Sequence, residues 1–199
     1  MKDDKFQSTF SATLAKLPIH KARIGHLSNF NHHMILKSWP NIKYISLDLS
    51  HNGDTALLKN VGDHCKAITD LSVTGLKGDK DRQDAMCYLL DQLEGLTWLE
   101  ISDGIISSNL LECMAKGCQK VERMFLSEVA FPDGSDVRSV EWKNLEYLYV
   151  SRPRRLLSRI FLDAIQEKCS RVEIELKYPF DYEDGPSYPY EDKITYVYV

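Results

Sequence analysis

LEGLTWLEI, residues 93–101, sets the reading of the whole chain, because its order of apolar and polar positions returns at WPNIKYISL (39–47), CKAITDLSV (65–73), CQKVERMFL (118–126) and WKNLEYLYV (142–150). Each stretch opens on Cys or a large apolar residue and continues x-x-Φ-x-x-Φ-x-Φ, where Φ is apolar. The first Φ falls at Ile42, Ile68, Leu96, Val121 and Leu145, so the interval stays between 24 and 28 residues. The second and third Φ alternate with other residues at the strand period of two, which sends Ile45/Leu47, Leu71/Val73, Leu99/Ile101, Met124/Leu126 and Leu148/Val150 to one side. A fixed repeat of this length means that one small unit, unable to bury its own apolar face, stacks on the next.

Apolar-periodic segments at 27–36, 56–64, 84–93, 109–117 and 156–168 predict helices between the strands. Ser108 is the predicted cap of the fourth, with Gly117 just past its end. Fainter copies extend the series: Leu14, Leu17 and Ile19 upstream, Ile174 with Leu176 downstream, and Ile194, Val197 and Val199 in the closing KITYVYV. The expected fold is α/β, a leucine-rich-repeat solenoid of eight strand positions with parallel strands on the concave face and helices on the convex face. It forms one domain over 1–199: an N-terminal repeat or cap at 1–38, regular repeats at 39–178, and an acidic loop with a terminal strand at 179–199. FPDGSDVRSVEW (131–142) fits an irregular or single-turn connection, because only 24 residues join the fourth repeat to the fifth.

With 199 residues, 43% hydrophobic and 27% charged, the composition is that of a folded globular chain. A net charge of −4 and a pI near 5.9 give no general attraction for nucleic acid or an anionic membrane surface. The first twenty residues hold no apolar run of signal or membrane-spanning length, so the expected location is cytoplasmic or nuclear. Five cysteines without a CxxC pair argue against a disulfide framework and a zinc module, and for reduced, buried thiols.

A cysteine at the helix end followed by x-x-Φ-x-x-Φ-x-Φ, as at Cys65, Cys118 and Cys169, resembles the cysteine-containing repeat of F-box/leucine-rich-repeat proteins. Trp39 and Trp142 stand in the cysteine's place in other copies, and ITDLSV (68–73) is similar to part of that consensus. The resemblance covers most of 14–176. It implies a repeat arc that holds a substrate for a cullin-RING ubiquitin ligase. Residues 1–38 show no F-box, so docking on the ligase adaptor would need an F-box outside this chain.

The outward strand positions are the expected binding ladder. They carry Tyr44, Trp98, Phe125, Tyr147 and Tyr149, with Tyr196 and Tyr198 from the last strand and Arg123 among them. Aromatics and arginine dominate interface energetics because they bury much area at low entropic cost, and nothing about folding demands them on an outward face. The third outward position is small in four strands, Thr74, Ser102, Ser127 and Ser151, which predicts a shallow groove beside the rings. Arg152, Arg154, Arg155 and Arg159 form the concentrated basic segment, a candidate anion or phosphate site set against the ordinary reading of a solvated loop. The stretch 181–192, DYEDGPSYPYED, reads as a loop.

No metal site is expected: His32 and His33 are adjacent and diverge on a helix, and Asp79, Asp81 and Asp84 in GDKDRQD read as a charged turn without a calcium loop's Gly and Glu. No phosphate loop, nucleophile elbow, HExxH or paired carboxylate motif is present, so neither a catalytic residue nor a cofactor is expected. The expected function is a non-catalytic protein-protein interaction module, a substrate-recognition or adaptor subunit with its partner on the concave face. The alternatives are a structural scaffold or assembly subunit unrelated to ubiquitin, and an RNA-binding repeat protein whose rings stack on bases.

Overall fold

A computed structural model describes residues 19–25, 32–50, 54–131, 142–151, 173–177 and 195–197. The corner before each strand explains why the repeat motif folds as it does. Backbone N–H groups of Ile42, Ile68, Leu96, Val121 and Leu145 donate to the carbonyls of Trp39, Cys65, Leu93, Cys118 and Trp142, closing the same short turn five times. The first Φ of each copy is thereby driven under the sheet and is buried in every case. Past the turn, two successive N–H groups share one carbonyl of the preceding strand. Thr97 and Trp98 donate to Thr69, and Glu122 and Arg123 to Thr97.

The strands that follow are β1 (Lys21–Ile24), β2 (Tyr44–Asp48), β3 (Asp70–Thr74), β4 (Trp98–Ile105), β5 (Arg123–Ala130), β6 (Tyr147–Ser151), β7 (Glu173–Lys177) and β8 (Thr195–Val197). They lie side by side in chain order in one sheet, and every pairing from β1 to β7 is parallel. Helices α1 (His32–Lys37), α2 (Asp54–His64), α3 (Lys80–Gln92) and α4 (Ser108–Gly117) occupy the intervals. No helix among the described residues is long and apolar enough to cross a membrane.

All ten second and third Φ residues of the five clear copies are buried, together with Leu57, Leu58 and Val61 of α2, Met86, Leu89 and Leu90 of α3, and Leu110 and Met114 of α4. Among the described residues the helices therefore cover one sheet face and no element covers the other, called the open face below. Each such aliphatic side chain contributes about 1.5–3 kcal/mol on removal from water, which is why the motif spends its apolar residues on that side.

Four expectations change in detail. The first strand among the described residues is β1 at Lys21–Ile24, and Leu14 and Leu17 of the expected upstream copy lie outside the described residues. β1 pairs Ala22 with Ile45 and Ile24 with Leu47, so Ile19, Ala22 and Ile24 hold the three Φ positions and Ile19 packs against the core. Helix α3 begins at Lys80, four residues before the expected start, because Asp79 caps it: its carboxylate accepts from the N–H of Arg82 at 3.1 Å. The GDKDRQD turn is thus mostly helix. Ser107, not Ser108, caps α4, with its hydroxyl accepting from Leu110 N–H at 3.2 Å. β8 runs antiparallel to β7 and so does not continue the parallel series. The predicted helix at 156–168 and nearly all of the 131–142 connection lie outside the described residues.

Candidate functional site

The open face is built from the positions that alternate with the core residues, and the register aligns them into rows. One row runs Lys21, Tyr44, Asp70, Trp98, Arg123, Tyr147; the next runs Arg23, Ser46, Ser72, Glu100, Phe125, Tyr149. A third runs Asp48, Thr74, Ser102, Ser127, Ser151.

Five of the expected ladder rings form a chain of contacts. Tyr44 and Trp98 have centroids 6.4 Å apart across the intervening Asp70 strand, Trp98 and Phe125 5.4 Å, Phe125 and Tyr147 5.4 Å, and Phe125 and Tyr149 5.9 Å. All lie in the range preferred by aromatic pairs, and the tilts of 39–52° avoid face-to-face stacking. Phe125 is the hub, touching three other rings. All five are half-buried, while Arg123 in the midst of them is exposed.

Polar groups flank the rings. Lys21 Nζ sits 4.3 Å from the centroid of Tyr44, a cation on a ring face. Glu100 accepts from the Ser72 hydroxyl at 2.9 Å, and Asp70 from the Thr69 hydroxyl at 2.6 Å. Hydroxyls of the small third row bond to one another, Thr74 to Ser102 at 2.8 Å and Ser151 to Ser127 at 2.9 Å. Ser151 of this row is only 8% exposed, and the other four members are half-buried.

Tyr44, Trp98, Arg123, Phe125, Tyr147 and Tyr149 are thus brought together. Tyr196 is in register with Ile174 in the antiparallel pair, and Ile174 with Leu148. Tyr198, Arg152, Arg154, Arg155, Arg159 and Cys169 lie outside the described residues.

Three features were not legible as sites. His33 and His64, one repeat apart on α1 and α2, hydrogen-bond through Nδ1 and Nε2 at 2.9 Å; the only signal in the sequence was their spacing of roughly one repeat. Cys87 on α3 and Cys113 on α4 are free thiols, and burial followed by the influence of Cys113 raises the Cys87 pKa. A hollow of about 440 Å³ at the N-terminal ends of β4 to β6 is lined by Thr97, Lys120, Glu122, Lys143, Asn144, Leu145 and Glu146, on the edge of the sheet rather than over the rings. No protein-family model matches the chain, and no curated protein matches it.

Proposed function

We propose that this chain is a leucine-rich-repeat solenoid acting as a non-catalytic protein-protein interaction module, with its partner seated on the open face of the sheet. Sequential parallel strands in constant register, with helices stacked on one side, support the solenoid reading. The observation that carries the functional reading is the ring chain Tyr44, Trp98, Phe125, Tyr147 and Tyr149 around Arg123, on the face where the repeat imposes no apolar requirement. Trp98, Arg123, Phe125, Tyr147 and Tyr149 occupy three consecutive strands, about 10 Å in the stacking direction, which is the size of a hot-spot cluster. Buried corner cysteines Cys65 and Cys118 favour the variant that resembles F-box/leucine-rich-repeat proteins, and hence substrate recruitment or an adaptor role. The carboxylates Asp70 and Glu100 among the rings disfavour the RNA-binding alternative, since they would repel a phosphate chain.

Affinity purification of the full chain with Trp98→Ala and Tyr147→Ala variants tests this. The native partner is expected in stoichiometric amount with the unaltered chain and at least about tenfold depleted with either variant, while both variants stay folded at the assay temperature with a melting temperature lowered by only a few degrees for the lost ring contacts. Cullin and its adaptor in the eluate would specify the ubiquitin-ligase role, and a stable complex without them the scaffold role. Normal capture by both ring variants, with loss in a helix-face or loop variant, would move the site off the sheet.

A further inference from the structure

The placement of charge among the rings points to the chemistry of what they hold. Three of the five rings have a carboxylate-bearing residue directly opposite them on a neighbouring strand: Asp70 stands between Tyr44 and Trp98, and Glu100 opposite Phe125. In β3 to β5 the two ring-bearing rows carry these two acidic residues and one basic residue, Arg123, while Lys21 and Arg23 lie on β1 at the far end of the same rows. Neither Asp70 nor Glu100 takes part in an ion pair among the described residues. Each makes one hydroxyl hydrogen bond, which leaves most of a carboxylate's acceptor capacity unused.

A ring face is the negative end of the aromatic quadrupole, so a ring beside a carboxylate attracts a cation twice over. The chain already displays this at the first ring of the row, where the Lys21 ammonium rests on Tyr44. We propose that the ladder takes an extended, arginine- or lysine-bearing segment of a partner polypeptide, its cations seated on the rings with Asp70 and Glu100 beside them. This rests on the reading of the open face as a protein-binding surface and narrows it. The ladder from β2 to β6 spans four strand spacings, roughly 19 Å, which an extended segment of about six residues covers.

The test uses the full chain and fluorescence anisotropy with labelled peptides about twice that length, identical except that alternate positions are all Arg, all Gln or all Glu, and a labelled oligouridylate. The Arg peptide is expected to bind at least about tenfold more tightly than the Gln and Glu peptides. That preference is expected to collapse in Asp70→Asn with Glu100→Gln, and to survive in Asp91→Asn with Glu112→Gln, two helix carboxylates away from the rings that leave the net charge equally changed. Trp98→Ala is expected to lose the Arg peptide.

Equal loss in the two double variants, or none in the first, would reduce the preference to general charge and overturn the inference. So would failure of all probes to bind, or stronger Trp98-dependent binding of the Gln or Glu peptide or the oligouridylate. With a Gln or Glu peptide held through Trp98, the face would remain a protein-binding surface for a different segment. If Trp98→Ala changed no peptide and also left capture of the native partner intact, the surface assignment would fall with it.

Discussion

Cys65 and Cys118 sit at equivalent corners, where a helix ends and the chain turns under the next repeat, and both are buried. Such a corner accepts a small, polarizable side chain and gives an ion no solvation. Burial pushes both thiols up to about 12, with the charge of Cys113 adding to the rise at Cys118. Because these folded-state values lie above the ordinary thiol value of 9, the corners favour folding fully below pH 9. That contribution is lost as pH rises toward about 12, where unfolded thiols ionise and the buried ones resist. The urea midpoint is therefore expected to fall more steeply above pH 9 in the unaltered chain than in Cys118→Ala, and thiol reagents at neutral pH are expected to spare Cys65 and Cys118 until denaturant is added. Rapid labelling of both without denaturant would contradict the corner assignment. At a second residue, Gly75, the backbone decides. Its φ of 77° is left-handed, and a Cβ there would come within 2.9 Å of Ser50 N. Gly75→Ala is expected to cost about 2 kcal/mol or more, read as a lowered urea midpoint at unchanged m-value.

Gly75 also shows how strand and helix are joined, since Asp103 and Glu128 stand in register with it and also have positive φ, 49° and 54°. The kink after the third open-face position recurs in three consecutive repeats, yet only one of the three residues is glycine, so no residue-type signal marks it. The same blindness hides Gln83. Buried on α3, it donates to the carbonyls of Lys77 and Ile105 at 2.8 Å each, and accepts from the N–H and hydroxyl of Ser107 at 3.1 and 2.9 Å. The amide is saturated and ties the β3 exit, the β4 exit and the α4 cap together. Gln83→Met keeps the volume and strands those groups, at a cost expected to be on the order of 3 kcal/mol by chemical denaturation. A neutral result would mean that water replaces the amide. Elements that arise from apolar period are legible in the residues alone: the strands that start at 44, 70, 98, 123 and 147 each begin one residue before the second Φ of their copy. Where the period thins the reading slips, as at β1, whose second Φ is only Ala22. Strand polarity leaves no trace in a three-residue apolar alternation, which is why β8 cannot be told by pattern from a further parallel neighbour.

Across the whole molecule the repeat serves two ends at once. The same alternation that drives Leu99 and Leu126 inward puts Trp98 and Phe125 outward, so the rings can be named from the sequence while their contact distances cannot. The charge opposite Tyr44, Trp98 and Phe125 is equally invisible there, because cross-strand neighbours lie 24 to 28 residues apart and become partners only once the register is known. A stack of this kind touches only its nearest neighbours, so its stability is a sum of repeat and interface contributions rather than one global value. β4 is flanked by strands on both sides and backed by α3 and α4, whereas β1 has β2 on one side and four residues of its own. Native-state hydrogen exchange is accordingly expected to protect amides of β3, β4 and β5 most strongly and those of β1 least. Leu99→Ala, which empties a fully buried site in the middle of the stack, is expected to cost about 3–5 kcal/mol and to lower protection in β3 and β5 as well as β4. Ile24→Ala at the edge is expected to loosen β1 while β4 and β5 keep their exchange rates. Uniform protection across all strands, with both substitutions lowering it everywhere alike, would show a single cooperative unit and would count against the nearest-neighbour stack.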